Sequence, residues 1–368
     1  PAEVAYSPNS FVETKGTAMT AVTPTFNGGT VTSWAIHPAL PNGISIDATN
    51  GEISGNPTVL STFTTYTVYA NNTGGSATTT IDITVNDIIP SSITYSGTSF
   101  VETKGTPMTT GIPNVGGGPV VSWSINPGLP TGLNIDTSTG EISGTPSVLS
   151  TLTTYTITAT NTGGSTSTTI DITVNDIIPS SVSYVPNTYT FTKGTSDSTS
   201  TPDANGGPVV SWEIHPTLPN GLSIDSSTGQ ISGTPTTLST IQTYTVYANN
   251  SGGSATTTID ITVNDVIPSL ITYSSNAFVE TRDSAMTTGI PSVSGGPVVT
   301  WSIAPALPTG LDIDSSTGEI SGTPTVNSPL TTYTVTATNT GGSATTTIDI
   351  TVNDIIPSSV TYTGSPYV

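Results

Sequence analysis

From Thr78 to Asn86 the side chains alternate, with Thr79, Ile81, Ile83 and Val85 on one side and Thr78, Thr80, Asp82, Thr84 and Asn86 on the other. Successive side chains of a strand point to opposite faces, so this two-residue period predicts a half-buried β-strand. Tyr66, Val68 and Ala70 repeat the pattern just upstream, and Gly74-Gly75 supplies a hairpin turn between the two runs. Val31–Ile36, around Trp34, predicts a third strand. Ile44–Asp47 and Glu52–Gly55, separated by Asn50-Gly51, predict a second hairpin. Short runs at Val4–Tyr6, Phe11–Thr14 and Met19–Val22 complete the set of strands, and no window carries the 3.6-residue stripe of a helix. Turn signals this frequent predict an antiparallel β-sandwich, with Trp34 anchored between its sheets. Paired glycines such as Gly28-Gly29 and Gly117-Gly118 fall where hairpins need positive φ.

The whole pattern returns every 89 residues. Trp34, Trp123, Trp212 and Trp301 keep that step, as do Tyr6, Tyr95, Tyr184, Tyr273 and Tyr362. Pro1, Pro90, Pro179, Pro268 and Pro357 mark the seams. The chain therefore divides into repeats at 1–89, 90–178, 179–267 and 268–356, and 357–368 opens a fifth. A period above the roughly 20–50 residues of solenoid repeats makes each unit a domain, an all-β sandwich in a tandem array. The register suggests a segment of a longer array. A second period runs inside the first. His37 and His215, Tyr69 and Tyr247, and Asn71-Asn72 and Asn249-Asn250 belong to repeats one and three. Repeats two and four place Asn126 and Ala304, Thr158 and Thr336, and Thr160 and Thr338 there, as a duplicated two-repeat block would.

Charge narrows the function. The chain has 24 acidic residues against 4 basic ones, a net charge of −20. So little positive charge cannot neutralise phosphates, which excludes nucleic acid as a partner and disfavours anionic lipid surfaces. The longest apolar runs are a few residues, so no segment is expected to insert in a membrane. No basic-then-apolar leader opens the chain, which places any secretion signal outside this stretch. There is no cysteine, hence no disulfide, zinc–thiolate site or thiol redox chemistry. Catalysis has no support either. The two histidines, His37 and His215, are matched by Asn126 and Ala304 in the other repeats. No nucleophile elbow, phosphate-cradling glycine loop or H-E-x-x-H motif occurs. The chain is therefore read as a non-enzyme.

The string Leu129-Pro130-Thr131-Gly132-Leu133-Asn134-Ile135-Asp136, continuing through Thr139-Gly140-Glu141-Ile142-Ser143-Gly144-Thr145-Pro146, occurs in all four repeats, with Asn56 a departure in the first. It resembles the signature of bacterial and archaeal Putative Ig domains, relatives of the dystroglycan-type cadherin-like domain. The resemblance implies Ig-like sandwiches of the kind found as tandem stalks in large secreted surface proteins.

Kinship with cadherins implies calcium at the seams. The residues in matching places are Glu13 and Asp87, with Glu102, Asp176, Glu280 and Asp354 in the later repeats. Other ligand positions of that motif are lost: Thr84 and Ile88 stand in the linker, and Gly-Thr-Pro or Gly-Asn-Pro replaces the acidic run. Phe191 occupies the glutamate place in repeat three. Calcium takes six to eight oxygens, several of them carboxylate. No firm metal site is expected, therefore, and these six residues are candidates for one weak calcium per seam; no other cofactor is implied. Asn71-Asn72-Thr73 and Asn249-Asn250-Ser251 are sequons, making Asn71 and Asn249 candidate glycosylation sites.

The expectation is an extracellular, non-catalytic stalk or filament segment of a surface adhesin or appendage. Its partners would be neighbouring repeats of the same longer chain and other copies, laterally or end to end. The alternative is a carbohydrate- or cell-binding module acting through the repeated faces, for which Tyr69 and Tyr247 are the aromatics outside the expected core.

Overall fold

Nine strands build the first repeat: β1 (Glu3–Ala5), β2 (Ser10–Thr14), β3 (Met19–Val22), β4 (Thr25–Asn27), β5 (Ser33–His37), β6 (Ile44–Ile46), β7 (Ile53–Gly55), β8 (Ser61–Asn72) and β9 (Gly75–Asn86). They form a four-stranded sheet in the order β2-β9-β8-β5, a three-stranded sheet β3-β7-β6, and the pair β1-β4. The structure, a computed structural model, describes residues 1–361, and the same set of strands recurs in the other three repeats. Most of the fifth-repeat start at 357–368, including Tyr362, lies outside the described residues. Among the described residues no helix is long and apolar enough to cross a membrane.

The alternating pattern does what it predicts. β8 and β9 pair antiparallel from Thr64↔Ile83 through Tyr66↔Ile81 and Ala70↔Ala77 to Asn72↔Gly75. Ile81, Ile83, Val85, Tyr66, Val68 and Ala70 are buried in one core with Trp34, which is 4% exposed. Each such aliphatic is worth about 1.5–3 kcal/mol when removed from water. The second hairpin pairs Ile44↔Gly55 and Ile46↔Ile53.

The turn between β6 and β7 sits on that core. Asp47 Oδ1 accepts the Thr49 amide at 2.7 Å and the Asn50 amide at 3.4 Å. Gly51 at φ +77° closes the turn, and a β-carbon there would lie 2.6 Å from the Trp34 ring. Tyr6 donates its hydroxyl to the Gly51 carbonyl at 2.5 Å, tying the first strand to the turn. Tyr95, Tyr184 and Tyr273 repeat the bond to Gly140, Gly229 and Gly318.

Two expectations need correction, and one strand was not expected at all. The sandwich is not antiparallel throughout: β2 runs parallel to β9, with Phe11↔Ile83 and Glu13↔Val85. The chain leaves the β1-β4 pair and enters the other sheet at its far edge, so β2 meets a strand more than sixty residues away. No local pattern reveals such a partner. β4 was unforeseen because Thr25–Asn27 is too short to show a period and all three residues are exposed. The second correction concerns the glycine pairs. Gly28, Gly75, Gly117 and Gly164 have positive φ, whereas Gly29, Gly74, Gly118 and Gly163 do not.

The chain divides into two units, Pro1–Ile177 and the remainder from Ile178, each holding two repeats. Within the first, three residues (Asp87–Ile89) separate β9 from the next repeat's opening strand, Pro90–Thr94. Within the second, Asp265–Ile267 separate Gly253–Asn264 from Pro268–Thr272.

Candidate functional site at the seams between repeats

At the first seam the Asp87–Ile89 backbone lies on the β-hairpin turn of the following repeat, where Asn161, Thr162, Gly163 and Gly164 bend between two long strands. The Asp87 amide donates to the Thr162 hydroxyl at 2.9 Å, and that hydroxyl approaches Asp87 Oδ2 at 3.4 Å. The Asn161 side-chain amide donates to the Ile88 carbonyl at 2.7 Å and to its own repeat's Pro119 carbonyl at 3.0 Å. Its oxygen accepts the Gly163 amide at 2.8 Å, which holds the side chain square to the incoming strand.

Glycine is needed here for space. A β-carbon on Gly163 would lie 2.1 Å from the Asp87 carbonyl oxygen, and one on Gly118 would lie 2.0 Å from that of Ile88. Both have φ that any residue can adopt, so the neighbouring backbone, not the turn, demands glycine. Gly164 lets Ile89 pack onto the turn, with the side chain 3.5 Å from the β-carbon position.

The second unit repeats the arrangement. Asn339 donates to the Val266 and Pro297 carbonyls at 2.7 and 3.0 Å, and the Asp265 amide donates to the Thr340 hydroxyl at 2.9 Å. Gly341 and Gly296 would place β-carbons 2.1 and 1.9 Å from the Asp265 and Val266 carbonyls. Asp87 and Asp265 are both 6% exposed. From sequence, Gly118 and Gly74 stand out only as halves of hairpin glycine pairs and Asn72 and Asn250 only as sequon neighbours; nothing there assigns Asn161, Thr162 or Gly163 a task at the seam. The available signal was a glycine doublet in a turn that uses only one positive φ.

The candidate calcium ligands are distributed differently. Glu13, Glu102 and Glu280 sit on the parallel edge strand opposite Val85, Val174 and Val352. Glu13 lies on the same side of its strand as the buried Phe11, and partial burial raises its carboxyl above the usual range. In repeat three that place belongs to Phe191, 1% exposed within the core. Asp87 meets Thr162 as described, and Asp176 follows the strand Gly164–Asn175 where the first unit ends. Asp354 pairs with Arg282 at 3.0 Å. Among the described residues no three or more His, Cys, Asp or Glu side chains gather as a metal site would require.

The sequon residues lie at the ends of the long hairpin strands. Asn71 Oδ1 accepts from the Ser76 hydroxyl, and Asn249 Oδ1 from Ser254 at 2.6 Å. Tyr69 and Tyr247 are half-buried, and Tyr247 meets His215 edge-to-face at 5.8 Å. They are not alone outside the core: Phe63 is 65% exposed and Phe26 48%. Leu152, Ile241 and Leu330 take the Phe63 place, which masks its regularity from a search for aromatics.

The sequence profile of a family described as Putative Ig domain matches residues 2–86, 88–175, 176–264 and 268–353. A relative named "Serine-rich adhesin for platelets", from Staphylococcus aureus (strain MRSA252), is 33% identical over 130 residues. That match covers 35% of this chain and 10% of the adhesin, and in strain MSSA476 it covers 6% of the adhesin. Two solved structures align broadly. Immunoglobulin domains 1–5 of Sidekick-1 share 15% identity at a TM-score of 0.34, covering 94% of this chain and 79% of that one. The titin I-band fragment I67–I69 shares 16% identity at a TM-score of 0.36, covering 72% and 98%.

Proposed function

The chain belongs to the Putative Ig domain family, and from that premise we propose that it is a non-catalytic spacer segment of an extracellular, cell-surface adhesin. The observation that carries this reading is the seam. Three residues join one repeat to the next, and side chains of the following hairpin clasp their backbone. A flexible tether would be longer and rich in Gly and Ser. A joint that converts linker backbone into hydrogen-bonded structure transmits orientation from one sandwich to its neighbour. The partial similarity to a staphylococcal protein named as an adhesin for platelets supports the cellular setting. Near-identity of the repeats fits spacer duty, since no repeat holds a private constellation of reactive groups.

Two experiments test the proposal. Antibody against the chain should label intact cells of its source, and internal staining alone would overturn the localisation. The full chain should show no saturable binding across a panel of glycans and matrix proteins.

A second reading has a specific observation behind it. His215 and Tyr247 meet edge-to-face beside Glu213 on one sheet face, an aromatic with flanking polar groups. If that face binds sugar, one class of glycan should bind, and Tyr247→Ala with Tyr69→Ala should abolish it. That outcome would replace spacer with binding module.

A further inference from the structure

Asn71 and Asn249 are the asparagines of the sequence that open an Asn-x-Ser/Thr pattern in which x is not proline, and they hold the same place in repeats one and three. Each lies at the end of a long strand, one residue before its last position. Asn71 Oδ1 accepts from the Ser76 hydroxyl and Asn249 Oδ1 from the Ser254 hydroxyl, which turns each amide nitrogen the other way. Among the described residues neither Nδ2 has a hydrogen-bond partner, and no buried side-chain nitrogen or oxygen is left unpaired, so both nitrogens reach solvent. The cross-strand neighbours are small. Ser33 and Ser76 flank Asn71, and Ser211 and Ser254 flank Asn249, leaving room for a bulky group on the amide.

Two residues back on the same strand stand Tyr69 and Tyr247. Alternate residues of a strand share a face about 6.6 Å apart, within reach of a sugar ring linked to Nδ2. Both tyrosines are half-buried, and His215 holds Tyr247 edge-to-face at 5.8 Å. Tyrosine and asparagine also come and go together. Repeats two and four replace both, with Thr158 and Thr160 and with Thr336 and Thr338, while the adjoining Asn161 and Asn339 of the clasp are kept. A tyrosine serving only the sheet has no reason to follow the sequon.

We propose that Asn71 and Asn249 are N-glycosylated and that the first sugar of each glycan packs on the ring of Tyr69 or Tyr247. The donor is an oligosaccharide carried on a polyprenyl phosphate or diphosphate, transferred by an oligosaccharyltransferase of the source cell. Nδ2 forms a bond to the anomeric carbon, and the bond from that carbon to the phosphate oxygen breaks. The lipid phosphate leaves with the electron pair, Nδ2 releases one proton, and nothing is oxidised or reduced. The C–H face of the sugar covers a ring that the bare strand leaves half in water. The aromatic thereby has a task within its own chain, distinct from binding foreign sugar. The inference rests on the extracellular placement proposed above, since such transfer acts on exported chains.

Mass spectrometry of the full chain isolated from cells of its source, denatured and digested with trypsin, tests it. Cleavage after Lys15, Lys104, Lys193 and Arg282 puts Asn71 in peptide 16–104 and Asn249 in 194–282, with 105–193 between them. The first two should carry a saccharide mass that Asn71→Gln and Asn249→Gln respectively remove, and 105–193 should have its bare mass. In proton NMR of the glycosylated chain the ring protons of the first sugar should be shifted upfield. That shift should vanish in Tyr69→Ala and Tyr247→Ala and persist in Tyr69→Phe and Tyr247→Phe. Bare masses throughout, or the same increment on 105–193, overturn the attachment, and unshifted sugar protons in the otherwise unaltered chain overturn the packing. Surface labelling of the same cells separates inference from placement. Bare peptides from a labelled chain overturn the inference alone, and bare peptides from an internal chain overturn both.

Discussion

Gly74 and Gly163 occupy the same place in two turns of the same sequence pattern, yet their surroundings differ. Around Gly74 a side chain would fit; at Gly163 a β-carbon would fall 2.1 Å from the Asp87 carbonyl. The backbone of neither turn needs glycine at that position, since the positive φ belongs to Gly75 and Gly164. The glycine requirement therefore arises between repeats. It is visible only where the preceding repeat delivers its Asp-Ile-Ile strand. Asn72 and Asn161 show the same contrast, one bonding within its repeat and the other also holding the Ile88 carbonyl.

The comparison breaks most readily at the glycines. Gly163→Ala should destabilise the first unit by about 2–3 kcal/mol, in the upper range for inserting volume into a packed site. Gly74→Ala should stay within about 0.5 kcal/mol, as for an unconstrained surface site. Denaturant titration of both variants checks this, and equal losses would remove the seam as the cause. Next comes Asn161→Ala, which leaves the Ile88 and Pro119 carbonyls without their donor and should cost about 1–2 kcal/mol. Asn72→Ala should cost less, because it bonds the Thr30 carbonyl and its own turn. Thr162→Val, which deprives the Asp87 amide of its acceptor, should cost about 1 kcal/mol. The same change at Thr73 should be silent by the same measurement.

Acid sharpens the comparison from the other side, because it should strike all repeats alike. Hydrogen bonds from the hydroxyls and amides of the turn hold the Asp47, Asp136, Asp225 and Asp314 carboxyls below the usual range, Asp225 at about 2. A carboxyl whose folded pKa is depressed favours the folded state above its ordinary value near 3.9, and that contribution is lost as pH falls through the folded pKa. Stability should therefore decline between about pH 4 and pH 2, equally in wild type and Gly163→Ala. A difference between them in this window would tie the turns to the seam. The smallest expected effect is that of metal: chelator or added calcium should move the melting temperature by less than about 1 °C. A large loss reversed by calcium alone would restore Glu13, Asp87 and their counterparts as ligands.

Much of one repeat was legible in the chain because its strongest signals are local. Alternation at 78–86, the turn at Asn50-Gly51 and the Trp34 period each arise from residues near one another. The strand at Phe11–Thr14 is legible, but its pairing is not, because its partner β9 lies far along the chain and runs parallel to it. The seam escaped for a related reason: Asn161, Thr162 and Gly118 act on residues of another repeat, which their local sequence does not name. The superfluous glycine of each doublet was the trace left in sequence. The Phe63 place was hidden because Leu152, Ile241 and Leu330 substitute for it, preserving apolarity and not aromaticity.

The central claim is that the clasp fixes one repeat against the next within a unit. The absence of cysteine permits clean spin labelling at Thr62→Cys and Thr151→Cys, exposed strand positions in repeats one and two. Pulsed electron paramagnetic resonance should give one narrow distance distribution in the otherwise unaltered chain and a broad one when Gly163→Ala is added. A broad distribution without the substitution, or a narrow one that survives it, would contradict the claim.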